Sequence, residues 1–229
     1  MANRELELGS QRLRAIVDWL EPGSCLVDIG TDHAALPIAL AEKGMFKRLI
    51  ALDKNPGPLA KAEANILAAG LADQVGLLLS DGLDQLDLQG DEVLVLAGMG
   101  GYLISQILER GLDKIKLGQR LILQPNWTWL TLRHFLADHG FSILKERVVL
   151  DRGKLYSIIY SQYTAEPYQI TDSEAFIGLN IENQTETIYR RYLQRLRKIA
   201  LNKGKGLETY RAIARDIEGL LAADKANLT

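Results

Sequence analysis

The chain has 229 residues, 47% of them apolar and 24% charged. That is a globular composition, enough for one ordinary core with an appendage or for two small domains. A net charge of −2 excludes a uniformly basic nucleic-acid binder, so any such binding must come from a local concentration of Lys and Arg.

A helix is expected over 11–20, stopped by Glu21-Pro22-Gly23. Short β-branched runs then alternate with helical patterns. Strands are expected near 25–29, 48–53, 75–79, 92–97 and 120–124, and helices over 33–43, 58–69, 83–86 (short), 101–110 and 128–138. Strands separated by helices pair in parallel through right-handed crossovers. Two last strands, near 142–150 and 154–161, are joined only by Asp151-Arg152-Gly153, which is hairpin spacing and makes them antiparallel. A mainly parallel sheet with such an ending is more typical of methyltransferases than of dehydrogenases. After Tyr163 the pattern changes. Glu166-Pro167 reads as a linker, and Thr171-Asp-Ser-Glu174 as a capping box that starts a helix. Apolar residues at helical spacing from Ile188 to Ala200 and from Leu207 to Leu221, with the turn Asn202-Lys-Gly-Lys-Gly206 between them, predict an antiparallel helical hairpin.

The one cysteine, Cys25, excludes an intrachain disulfide and a thiolate zinc site, and three dispersed histidines point to no metal. No apolar run approaches the ~18 residues of a membrane span. The first eight residues carry acids where a signal peptide would be apolar. A cytoplasmic protein is expected.

The first strand runs out through Asp28-Ile29-Gly30-Thr31-Asp32-His33. In doubly wound folds a nucleotide cofactor sits at this turn. Gly30 lets backbone approach a ligand closely, and Asp28 is placed to bind the amino group of an amino-acid moiety. The fingerprint G-x-G-x-x-G has Asp32 at its second glycine. A carboxylate there repels a pyrophosphate but tolerates the sulfonium and ammonium of S-adenosylmethionine, which disfavours a nicotinamide dehydrogenase. An ordinary strand-to-turn junction is the alternative. Asp53 follows Gly30 by 23 residues, near the roughly 20-residue offset of an acid on ribose hydroxyls, and Lys54 adjoins it. Asp81-Gly82 after the third strand is either a simple turn or a site where Asp81 accepts from the adenine amino group. Three carboxylates after three successive strands favour binding. Gly98, Met99 and Gly100 end the fourth strand, where clustered glycines suggest backbone lying against a ligand.

Leu26-Val-Asp-Ile-Gly-Thr-Asp-His-Ala-Ala-Leu-Pro37, Leu96-Ala-Gly-Met-Gly-Gly101 and Leu121-Ile-Leu-Gln-Pro-Asn126 together resemble the bacterial tRNA (adenine(22)-N(1))-methyltransferases. Leu13-Arg14-Ala15 and Asp151-Arg-Gly-Lys-Leu-Tyr156 are further matches. The resemblance covers most of residues 10–161 and continues more loosely through the helical hairpin. It implies an α/β, Rossmann-like S-adenosylmethionine-dependent methyltransferase domain on a mixed seven-stranded sheet (1–163), then a C-terminal helical, coiled-coil-like domain (164–229), the division that the pattern of elements also suggests. Adenine as the base, N1 as the atom and position 22 come from the resemblance alone.

N1 of adenine carries a lone pair and no proton, so alignment and stabilisation of growing positive charge are the main demands. Asp32 is the first candidate for the second task, with His33 as its partner or positioner; Asp32 also stands where it can cap the next helix. N1 lies on the pairing edge, so the target base must leave its stack. Gln124-Pro125-Asn126-Trp127 follow the fifth strand, at the right rim to face that base. Asn126 is expected to hydrogen-bond it, and Trp127 or Trp129 to pack near it unless both tryptophans are core residues. The loop resembles in content the Asn/Asp-Pro-Pro-aromatic loop of amino-methylating enzymes, but sits one strand later, so roles are not transferred. Between Tyr189 and Arg215 stand nine basic residues and one acid, Glu208. Arg190, Arg191, Arg195 and Lys198, with Arg14 near the start, are the candidate tRNA contacts. A solvated charged face is the alternative, and a second chain could pair along the same hairpin. Two rival functions remain: a methyltransferase for another RNA position or a small molecule, and a non-catalytic RNA-binding protein on a Rossmann-like scaffold.

Overall fold

The structure is a computed structural model and describes residues 9–182 and 186–226. Its strands are β1 (Gly23–Ile29), β2 (Phe46–Asp53), β3 (Val75–Leu79), β4 (Glu92–Met99), β5 (Arg120–Pro125), β6 (Phe141–Asp151) and β7 (Lys154–Tyr163). They form one seven-stranded sheet in the order β3-β2-β1-β4-β5-β7-β6. The first five pair in parallel, and β7 runs antiparallel to both β5 and β6. The chain leaves β1 toward β2 and β3, then returns to lay β4 against the other edge of β1. That reversal opens a crevice at the carboxyl ends of the two strands.

Five helices cover the sheet: α1 (Gln11–Val17), α2 (Ala35–Glu42), α3 (Pro56–Ala68), α4 (Gly101–Arg110) and α5 (Trp129–Asp138). Ile16 of α1, Leu40 of α2 and Ile66 of α3 share one apolar cluster with Leu26 and Val95. Ile104 and Leu108 of α4 and Leu132 and Leu136 of α5 share another with Val27, Leu94 and Leu96. Alternate residues of β1 and β4 thus enter opposite clusters. This is why both strands read as near-continuous apolar runs rather than as alternation.

The short helix expected over 83–86 is absent. Ser80–Leu86 is a turn fastened by Leu86 N–H to the Leu83 carbonyl (3.0 Å), with Ser80 Oγ accepting from Gln85 N–H. Four residues cannot recover the cost of helix nucleation. Helix α2 begins two residues later than expected, with Ala34 at its N-cap in the left-handed region (φ 54°) and no side-chain cap. Asp32 therefore does not cap this helix. Strand β4 continues past Ala97 through a bulge at Gly98, where the pairing with β5 shifts register.

Helices α6 (Asp172–Ile177), α7 (Glu186–Lys203) and α8 (Glu208–Ala226) complete the described chain. The capping box at the start of α6 forms, with Thr171 Oγ1 accepting from Glu174 N–H and Glu174 Oε2 from Thr171 N–H. Tyr192, Leu193, Leu196 and Ala200 of α7 pack on Ile213, Ala214 and Ile217 of α8, and both helices close over Val148 of β6 and Phe176 of α6. Beneath them lies a fully buried ion pair. Arg133 of α5 donates Nε and Nη2 to Glu146 Oε2 (2.9 and 2.5 Å), Nη1 to the Ala175 carbonyl (2.8 Å) and Nη2 to Ser157 Oγ (3.1 Å). Glu146 Oε1 accepts from Leu179 N–H (2.8 Å). One charge pair thus joins α5, β6, β7 and the segment leading to the C-terminal helices. Arg133→Met leaves Glu146 uncompensated and should lower stability by roughly 3–5 kcal/mol, while Arg133→Met with Glu146→Leu should regain most of it. Urea unfolding of the two variants measures both.

Candidate active site

The crevice between β1 and β4 has two chambers. The larger, about 520 Å³, is lined by Ser10, Arg12, Asp28, Asp32, His33 and Tyr156, among others. The smaller, about 230 Å³, is lined by Asp53, Lys54, Asp81, Gly82, Leu103 and Ile107, among others. They meet at Gly30, Ala97 and Gly98, which border both. Gly30 has φ +78°, and a Cβ there would stand 2.7 Å from Met99 Cε. Gly98 has φ +83°, and a Cβ there would stand 3.1 Å from Arg12 Nη1. A side chain at either position would strain the backbone and crowd the passage.

The carboxylates predicted from strand ends all reach the crevice. Asp28 is 8% exposed, and burial pushes its carboxyl up to about 6, against the pull of the Thr31 hydroxyl and the Arg12 guanidinium. Asp53 Oδ1 accepts from Asn55 N–H and Nδ2 (2.7 and 3.2 Å). Asp81 is half-buried and takes two hydrogen bonds from Arg110 of α4 (3.0 and 3.2 Å). Those bonds hold its carboxyl below the usual carboxylate value. Sequence alone gives no sign of Arg110, which becomes a neighbour only when α4 packs beside the β3 turn. Asp32 and His33 are exposed and pair with each other (Oδ2 to Nε2, 3.2 Å) at the mouth of the larger chamber.

The segment after β5 divides differently from the sequence expectation. Gln124 and Pro125 are buried, so neither faces RNA. Gln124 Oε1 instead accepts from Arg12 Nη1 and from Gly98 N–H (3.1 Å), and its Nε2 donates to Asn126 Oδ1 (3.1 Å). Asn126 donates Nδ2 to the Gly98 carbonyl (2.6 Å), and its N–H bonds the Met99 carbonyl (2.8 Å). Trp127 is exposed, and its indole lies against Gly100. Trp129 packs on Phe176 at 6.1 Å between ring centroids, inside the C-terminal cluster.

Arg14 is exposed and borders neither chamber, whereas Arg12 borders the larger one. Two residues apart on a helix lie about 200° around its axis, so only one of the two can face the crevice. Tyr156, Asp151 and Arg152 also reach the larger chamber from the β6–β7 hairpin. The sequence offered that hairpin as topology and as part of the family resemblance, with no site role for its residues.

The family described as TrmK, tRNA (adenine(22)-N(1))-methyltransferase, matches residues 26–218. The chain belongs to this family. The tRNA (adenine(22)-N(1))-methyltransferase of Bacillus subtilis is 32% identical over 158 residues, which are 69% of this chain and 66% of that protein, just under two thirds of it. The Streptococcus pneumoniae protein Sp1610, solved in complex with S-adenosyl-L-methionine, superposes with a TM-score of 0.78 at 33% identity, covering 93% of this chain and 99% of that one. The crystal structure of the B. subtilis m1A22 tRNA methyltransferase superposes with a TM-score of 0.75 over 97% of this chain and 99% of that one, a likeness of fold at 23% identity.

Members of this family take their methyl group from S-adenosylmethionine, and the crevice suits that donor. A buried carboxylate with no direct ion pair among the described residues, beside a floor of bare backbone, can accept a cation such as an ammonium. The Asp28 carboxyl is neutral below about pH 6 in the free protein, and it could receive an ammonium only after losing its proton. Affinity for the donor should therefore fall about tenfold per pH unit below 6, with a proton released on binding near that pH. Asp28→Asn should bind weakly and flatten the pH profile. Calorimetry in buffers of different ionisation enthalpy reads both effects.

Proposed function

We propose that the smaller chamber holds the adenosyl part of S-adenosylmethionine and the larger one its amino-acid part, and that adenine 22, turned out of the tRNA, is held at the Asn126-Trp127 edge of the junction. The observation that carries this is the meeting of the two chambers at Gly30 and Gly98, with the Gly98 carbonyl held by Asn126. When bound, S-adenosylmethionine supplies an electrophilic methyl group on a sulfonium. Asp28 would take the ammonium, Asp53 with Lys54 the ribose side, and Asp81 with Gly82 the adenine amino side. Leu103 and Ile107 would shield the base from water.

The acceptor nitrogen needs no base, so the chain's task is to place it and to stabilise the charge it gains. Asn126 keeps a second amide hydrogen beyond the one given to Gly98 and can donate it to the target base. Trp127 supplies an aromatic face. Asp32, held by His33, supplies negative charge at the mouth.

Residues 164–229 are proposed to grip the tRNA. The basic excess there is smaller than the residue count suggests, because Arg197 pairs with Glu218, and Arg211 and Arg215 pair with Glu208. What remains is a face of α7. Arg191, Arg195 and Lys198 are exposed at i, i+4 and i+7 and so share one side of the helix. Arg195 Nη1 bonds the Leu155 carbonyl (2.5 Å). This places the face beside the β6–β7 hairpin, whose exposed Arg152 reaches the larger chamber. Arg190 lines a hollow of about 350 Å³ between α7 and α8, next to the Arg197–Glu218 pair.

Trp127→Ala should lower kcat/KM for tRNA about 10- to 100-fold, the loss of one base–aromatic stack, with donor affinity unchanged. Steady-state kinetics with tRNA, paired with donor titration, test it. Arg191→Glu with Lys198→Glu should weaken tRNA binding and reduce the slope of log affinity against log salt by roughly two. Filter binding across a salt series that shows an unchanged slope would remove this helix from the RNA site.

A further inference from the structure

We infer that Gln124 is a positioning residue that locks the Asn126 amide to read the N6–N7 edge of the target adenine. Three hydrogen bonds close a ring at the bulge of β4. Gly98 N–H donates to Gln124 Oε1 (3.1 Å), Gln124 Nε2 donates to Asn126 Oδ1 (3.1 Å), and Asn126 Nδ2 donates to the Gly98 carbonyl (2.6 Å). Both ends of this ring have a fixed sense. A backbone N–H only donates and a carbonyl only accepts, and the Arg12 guanidinium, which also reaches Gln124 Oε1, has no acceptor. Turning over either side-chain amide, or both, would set donor against donor and acceptor against acceptor. Gln124 is fully buried, so no solvent relieves such a clash. The face that Asn126 shows is therefore dictated from within, by a neighbour that no RNA touches.

Once these bonds are made, Asn126 keeps one side-chain N–H and one oxygen lone pair. It is only partly buried, and it stands beside Gly98, where the two chambers meet. The base must be held without covering N1, which has to face the methyl group. Two edges of adenine then remain. The N3 edge offers an acceptor alone, which leaves the amide oxygen without a partner. The edge beside N1 offers a donor, the N6 amino group, and an acceptor, N7, and a primary amide answers both at once. Guanine presents two acceptors there, O6 and N7, so a fixed amide sets its oxygen against one of them. An asparagine free to swing aside would relieve that repulsion, and the ring through Gln124 denies it the freedom.

The inference rests on the placement of the target base at Asn126, and the test separates the two. The probe is tRNA carrying 7-deazaadenosine at position 22, which keeps N1 and the N6 amino group and lacks N7. The full-length wild type should methylate it with kcat/KM about tenfold below that for unmodified tRNA, as for one lost hydrogen bond. In Asn126→Ala both substrates should be poor and their ratio near one. In Gln124→Glu, whose carboxylate has no N–H to give Asn126 Oδ1, the ratio should also fall toward one. A merely structural role for Gln124 would slow both tRNAs alike and leave the ratio at its wild-type value. That result, or equal rates on the two tRNAs in the wild type, overturns the inference. The placement of the base still stands in either case if Asn126→Ala is slow on both substrates. An Asn126→Ala enzyme as fast as the wild type on both overturns the placement and the inference together. Should Gln124→Glu not fold, Gln124→Met, of similar size and without either polar atom, takes its place with the same expected fall.

Discussion

One buried amide holds the working parts of this molecule in register. Gln124 is closed off from solvent at the end of β5 and reaches three elements with one side chain. Its oxygen takes Arg12 from α1 and the Gly98 amide from the β4 bulge, and its nitrogen gives to Asn126 in the following loop. Each partner borders the crevice or holds its rim. An amide in this place is satisfied on both ends, and a buried polar group is tolerable only when it is. Replacing it with an apolar residue of similar size would leave the guanidinium and the glycine amide unpartnered together.

Much of the architecture was legible because the first five strands are short apolar runs set off from one another by turns and helical segments. All seven strands, the antiparallel hairpin and the helical hairpin stand where composition and spacing place them. The carboxylates Asp28, Asp53 and Asp81 were legible for a topological reason: parallel strands bring their carboxyl ends to one rim, so a repeated residue type after each becomes a cluster. What was not legible depends on contacts distant in sequence. Arg110 meets Asp81 across 29 positions, and Gln124 meets Arg12 across 112. Polar residues after the fifth strand looked like an RNA-facing edge. Burial divides them, with Gln124 and Pro125 inside and Trp127 outside.

Local backbone also escaped the sequence. Ala34 and Thr128 both sit in the left-handed region, at φ 54° and 53°, each immediately before a helix that flanks the crevice. Non-glycine residues reach that region at a cost of about 1–2 kcal/mol. Nothing in an alanine or a threonine announces it. The sheet and the clusters on its two faces impose the turn, and the strain gathers around the crevice. The count of basic residues failed in another way. A linear window that ended at Arg215 left out Glu218, one turn on, which neutralises Arg197.

The hairpin between β6 and β7 is tied to the first helix through Asp151, which receives both Ser10 and Gln11. A turn that would ordinarily tolerate insertion or exchange is thereby deprived of independence. Grafting another sequence onto it, or trimming it by a residue or two, would uncap α1 and release the arginine that α1 carries into the crevice. Variation between relatives at this turn is thus expected to be matched by changes at the opposite end of the chain, some 140 positions away, and an alignment that treats the two segments separately would miss the pairing.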